Sequence, residues 1–247
     1  MKKSLGVAAS ALLLASVLAG TASATHSWNG YHWARTANPF TIKLGDNLSS
    51  NWDPFLSQTS SDWSKSNVLD TTIVAGQAKG KCRPTAGRVE VCNGNYGNNG
   101  WLGLAQIWIS GSHITQGATK MNDTYFSQAP YNNTAEKEHV MCQEVGHTFG
   151  LGHQDESGIS LNTCMDYYHN TSNSDTKSTT PNQHDYDELA IIYAHLDSTS
   201  TIGAATPGNA PEWTPAGERA SVYADHLPNG DELVTFVTWA NPIHSDF

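Results

Sequence analysis

The stretch from His139 to Tyr167, HVMCQEVGHTFGLGHQDESGISLNTCMDY, constrains this chain more than any other. Within it, Glu144, His147, Gly150 and His153 stand at offsets that build a metal-binding corner from a helix and the turn after it. Side chains four residues apart share a helix face, with Cβ atoms roughly 5–6 Å apart, so positions 143 and 147 reach one ion. A glycine three residues on ends the helix and turns the chain, which brings His153 in from outside. A glutamate beside the first ligand position faces the water such an ion holds and takes its proton.

The first ligand position, however, is Gln143. Its amide oxygen extends about as far as an imidazole nitrogen but is a weaker and harder donor. His139, one turn earlier, is no substitute. Eight residues of helical rise put it roughly 12 Å from His147, too far to share an ion with bonds of ~2 Å. Three outcomes stay open: zinc bound less tightly, zinc held by two histidines and water, or an empty site.

Gln143 to His153 (QEVGHTFGLGH), followed by Cys164-Met165-Asp166-Tyr167, resembles the metzincin clan of zinc endopeptidases. The GHTFGLGH wording is nearest to its matrixin and pappalysin branches. The resemblance implies an α+β fold: a twisted mixed sheet with an active-site helix, a methionine turn, a C-terminal helix and a short β-containing extension. It further implies hydrolysis of protein or peptide substrates with Zn2+ held by Gln143, His147 and His153. Glu144 is then the general base, Tyr167 reaches the oxyanion or the metal, and Met165 is the floor. In that clan the strand ahead of the metal-site helix lies at the sheet edge and pairs with substrate. Residues 102–109 would be that edge here; the alternative is an internal strand. A competing reading is a catalytically weak or inactive metzincin-shaped module that binds a peptide or a surface polymer. Gln143 points toward that module, and Glu144 points away from it.

The N-terminus has Lys2 and Lys3, an apolar run through Leu12-Leu13-Leu14 to Ala19, then Ala22-Ser23-Ala24. Residues 1–24 read as a secretory signal peptide, so the expected location is extracellular. The run is shorter than the ~20 residues of a membrane span. Without that segment, which holds two lysines and no acids, the net charge of −10 becomes −12. So acidic a chain is a poor ligand for nucleic acid or an anionic membrane. Cys82, Cys92, Cys142 and Cys164 suggest two disulfides in an exported protein, and closeness in sequence favours Cys82–Cys92 and Cys142–Cys164.

Periodicity predicts strands in Tyr31–Leu44, Val68–Ala75, Leu104–Ile109 and, weakly, His113–Phe126, with a hairpin over residues 79–93. Asp53-Pro54 opens a helix reaching Trp63, and Asn132-Asn133-Thr134 caps one over residues 135–149. A last helix covers residues 183–196. Residues 25–200 therefore read as one catalytic domain, and 201–247 as a linker with a short β extension whose strand is Glu232–Ala240. Ca2+ at the Asp155-Glu156 loop matches no strong spacing. The histidines outside the motif, among them His26, His32, His113, His184 and His195, read as surface or packing residues.

Overall fold

The computed structural model describes residues 25–78, 80–204, 213 and 219–240; residues 1–24, expected from the sequence to be a signal peptide, lie outside them. The chain is a mixed α/β structure built on one sheet. In order, the elements are β1 (His32–Trp33), β2 (Phe40–Asn47), α1 (Asp53–Trp63), β3 (Leu69–Ala75), β4 (Val89–Gly94), β5 (Trp101–Ser110), β6 (His113–Asn122), α2 (Asp123–Phe126), α3 (Thr134–His147), α4 (Gln183–Ile192), β7 (Val222–His226) and β8 (Glu232–Trp239).

Eight strands form the sheet in the order β3-β2-β4-β6-β5-β8-β7, with β1 also paired to β6. The first half is parallel, because α1 makes the crossover from β2 to its parallel neighbour β3. The second half is antiparallel: β5 pairs with β6 on one side and β8 on the other, and β7 closes the order. Strand β5 is buried along almost its whole length, which suits its near-continuous apolar sequence LGLAQIWI.

Two expectations change here. The hairpin over residues 79–93 is absent among the described residues. Strand β4 runs parallel to both β2 and β6, so the Pro84–Gly87 turn feeds a sheet-centre strand instead of closing a ribbon. Strand β5 is internal and not an edge, because β8 pairs along it from Trp101 to Ile109. The apolar strand 232–239 meets its own hydrogen-bonding and burial needs by covering that edge.

Both disulfides join the expected cysteines, Cys82–Cys92 and Cys142–Cys164. The second ties α3 to the turn at Met165. Helix α3 is buried on most of its circumference, with Val140, Met141 and Val145 in the main core beside Trp63 and Phe149. Its last carbonyls, of Val145, Gly146 and His147, accept the N–H groups of Thr148, Phe149 and Gly150, and the two carbonyls just past its end are met by aromatic donors. The Trp33 indole donates to Thr148 O at 2.9 Å and the Tyr193 hydroxyl to Phe149 O at 2.8 Å. No helix among the described residues is long and apolar enough to cross a membrane.

Candidate metal centre and the strand that covers it

The cap and the exit of α3 are both local in origin. At its start the Asn133 side chain accepts the Glu136 N–H at 2.9 Å. At its end Gly150 takes φ +97°, and a Cβ there would collide with the Tyr31 carbonyl oxygen. Only glycine fits that turn. Beyond it, Gly152 N donates to His26 O at 2.5 Å, and Ser27 bridges Leu151, which folds His153 back over the helix.

The two histidine rings meet through their Nε2 atoms, 3.1 Å apart. His147 Nδ1 lies 2.8 Å from Leu151 O, and His153 Nδ1 lies 2.8 Å from Glu156 Oε1. A ring nitrogen facing a carbonyl or carboxylate oxygen carries the proton, so each Nε2 presents a lone pair. Burial, then the neighbouring His153, push the His147 pKa well below 6.5, which keeps that ring neutral. Two lone pairs aimed at each other repel unless something positive lies between them. A zinc-type ion takes imidazole donors of this kind, as part of a set of three or four.

Gln143 is fully buried, with its Nε2 donating to Asp166 O at 2.8 Å and its Oε1 accepting the Thr238 hydroxyl at 2.6 Å. Glu144 is fully buried too, and its Oε1 is 2.7 Å from the same Thr238 oxygen. Desolvation raises its pKa to about 8, against the opposing pull of the Thr238 hydrogen bond. Room for this carboxyl comes from Gly103 of β5, where a Cβ would meet Glu144 Oε1 and sit 2.5 Å from Val140 Cγ1. His139 stands apart, buried, its Nδ1 2.5 Å from Ser178 O.

Met165 lies beneath the helix, its Sδ 2.6 Å from where a Cβ on Gly146 would stand. The turn is pinned by Gln154 N to Met165 O and Tyr167 N to Asp155 O, each 2.7 Å. Tyr167 packs edge-on to His153 at 5.1 Å, but its hydroxyl is bonded to β8: it accepts Trp239 N–H at 2.8 Å and faces Val237 O at 3.3 Å. The acids of the 155–156 loop are also engaged. Asp155 Oδ1 holds Ser157, and Glu156 Oε1 takes His153 and the Ser221 hydroxyl.

Two residues of this site were not anticipated from the sequence. Phe236 and Thr238 alternate on one face of β8, and both point at α3. The Phe236 ring stacks on His147 with centroids 4.2 Å apart, while Thr238 bridges Gln143 and Glu144. Their only signal was the β-branched and aromatic content of ELVTFVTW, which marks a strand. Away from this centre, two further groups bring metal-capable atoms within 4.8 Å of one another: His26, His184 and Asp185, and His32, His195 and Asp197.

No protein-family model and no curated protein matches this sequence. Two solved structures of myroilysin are similar in part. One is 13% identical, with a TM-score of 0.36, over 66% of this chain and 96% of that one. The other is 11% identical, with a TM-score of 0.36, over 66% of this chain and 86% of that one.

Proposed function

We propose that this chain is an exported metzincin-type zinc endopeptidase, folded in a form whose cleft is covered by its own strand β8. The observation that carries the reading is the pair of opposed Nε2 atoms of His147 and His153, 3.1 Å apart with both Nδ1 positions engaged elsewhere. These two rings would hold the ion, with the Gln143 carbonyl oxygen as a weaker third donor. A zinc ion so held supplies Lewis-acid polarisation of a carbonyl and acidifies bound water. Once β8 is displaced and water relieves the desolvation that raises its pKa, Glu144, one residue from Gln143, takes the proton of the attacking water and passes it to the leaving amine. Glu156 and Leu151 fix the ring orientations, and Met165 supports the helix from below. The catalytic domain is taken as residues 25–200, with 201–247 as a linker and short β extension whose strand β8 is the cover.

The alternative, a binding module without turnover, is favoured by one observation. Strand β8 lies along β5, and its Thr238 hydroxyl meets both Gln143 and Glu144. Zinc analysis of the purified chain and of His153→Ala, with hydrolysis of an internally quenched peptide series, separates the two. Zinc lost with His153 and cleavage by wild type or by a β8-loosened variant support the peptidase. Zinc binding with no cleavage by either leaves the binding module, and zinc content indifferent to His153 removes the site.

A further inference from the structure

We propose that His32, His195 and Asp197 form a second site for a zinc-type divalent ion, fastening the N-terminal strand to the chain that leaves α4. The three ligand atoms come from distant parts of the sequence and converge. His32 Nε2 and His195 Nε2 are 3.1 Å apart, and Asp197 Oδ1 lies 3.5 Å from the first and 3.6 Å from the second. For a tetrahedral ion with bonds of about 2.0–2.1 Å, simple geometry gives ligand separations of about 3.3 Å. The triangle matches that edge length, while its two sides to the carboxylate are long for hydrogen bonds.

The surroundings prepare each donor. His32 Nδ1 is 2.8 Å from Gly30 O, so that nitrogen carries the ring proton and Nε2 keeps its lone pair. A lone pair facing a carboxylate oxygen is repulsive without a positive centre between them. Asp197 is oriented from its other side: Arg35 Nη1 holds Oδ2 at 2.8 Å, and Arg35 N donates to it at 3.2 Å. His113 Nε2 reaches Oδ1 at 3.2 Å, from the strand position that β1 pairs with. Supporting contacts of this kind accompany metal-bound carboxylates and imidazoles. His32 and Asp197 are sheltered and the His195 side chain is 55% exposed, which leaves the fourth position open to solvent. Two imidazoles and one carboxylate suit zinc above calcium or magnesium.

The competing account is a proton shared between His195 and His32, with no metal. The full chain, stripped by a chelator and re-equilibrated with zinc chloride, separates the accounts by bound zinc per chain and zinc affinity. His195→Ala should hold one equivalent less than wild type, or bind that equivalent at least ~10-fold more weakly. Its melting temperature without metal should match wild type, because the ring is largely exposed, while the rise on adding zinc should shrink. His153→Ala should retain the His195-dependent ion. If the motif centre holds no metal, wild type carries a single ion and His195→Ala none, so failure there is read separately. Unchanged stoichiometry, affinity and zinc-dependent melting in His195→Ala overturn this proposal.

Discussion

Phe236 lies flat on His147, the ring centroids 4.2 Å apart and the planes 5° from parallel. The contact sets a strand from the C-terminal end against the helix that carries the candidate centre. In the same strand, Thr238 bonds to Gln143 and Glu144, and the Trp239 N–H to the Tyr167 hydroxyl. Every polar group expected to act on a substrate is thus in contact with β8. The pairing is antiparallel to β5, the geometry an extended peptide adopts when it adds to a sheet edge.

Loosening β8 should therefore raise turnover. Phe236→Ala removes the ring from His147 and leaves a cavity whose cost, about 3–5 kcal/mol, falls on the covered form. Because each 1.4 kcal/mol is tenfold in population, kcat/KM on a quenched peptide should rise at least ~10-fold over wild type. Equal or lower activity, in a variant that circular dichroism shows to be folded, would remove β8 from control of the cleft.

Glu144→Gln tests the base. The substitution keeps the size of the side chain and an oxygen for Thr238, and it removes a buried ionisable group, so the melting temperature should hold or rise. Peptide hydrolysis, measured in the Phe236→Ala background, should fall by at least ~10². A rate within threefold of that background would take Glu144 out of the reaction.

The helix, its glycine exit and both disulfide pairings were legible in the sequence because each depends on local spacing. Glu144, His147 and His153 are fixed by helix pitch and by one residue that tolerates positive φ, Gly150. Partner choice between strands is not local. Nothing in VEVC distinguishes a hairpin return from a central parallel strand, and β4 proved to be the latter. The placement of β8 was hidden for the same reason: its β-branched and aromatic residues marked a strand, not which sheet edge would receive it. His32, His195 and Asp197 share no motif at all, since tertiary folding alone brings them within reach of one another.

Gly146 offers a test of the floor of the site. A helix-interior glycine is normally improved by alanine, by about 1 kcal/mol. Here an added Cβ would stand 2.5 Å from Trp63 Cζ2 and 2.6 Å from Met165 Sδ. Overpacking of about 1–3 kcal/mol should outweigh the helical gain, so Gly146→Ala should melt several degrees lower. A higher melting temperature would mean that Met165 is not seated against this turn.

Gln143 stands where the proposed centre would otherwise have a third histidine, and placing histidine there asks what the amide does. Its oxygen is accepting the Thr238 hydroxyl and its nitrogen is bonded to Asp166 O, so neither end is bare. An amide oxygen that already accepts one hydrogen bond keeps a second lone pair, enough for a weak third donor. Imidazole matches zinc better than an amide oxygen. Gln143→His should therefore bind zinc at this centre roughly tenfold more tightly, or about 1.4 kcal/mol. Competition against a chromophoric chelator, with His195→Ala as the common background, reads this centre without the second site. Equal affinities in the two proteins would mean that position 143 is not a ligand. An affinity lower in Gln143→His would mean that the Asp166 and Thr238 bonds hold the corner together more than any donor at 143.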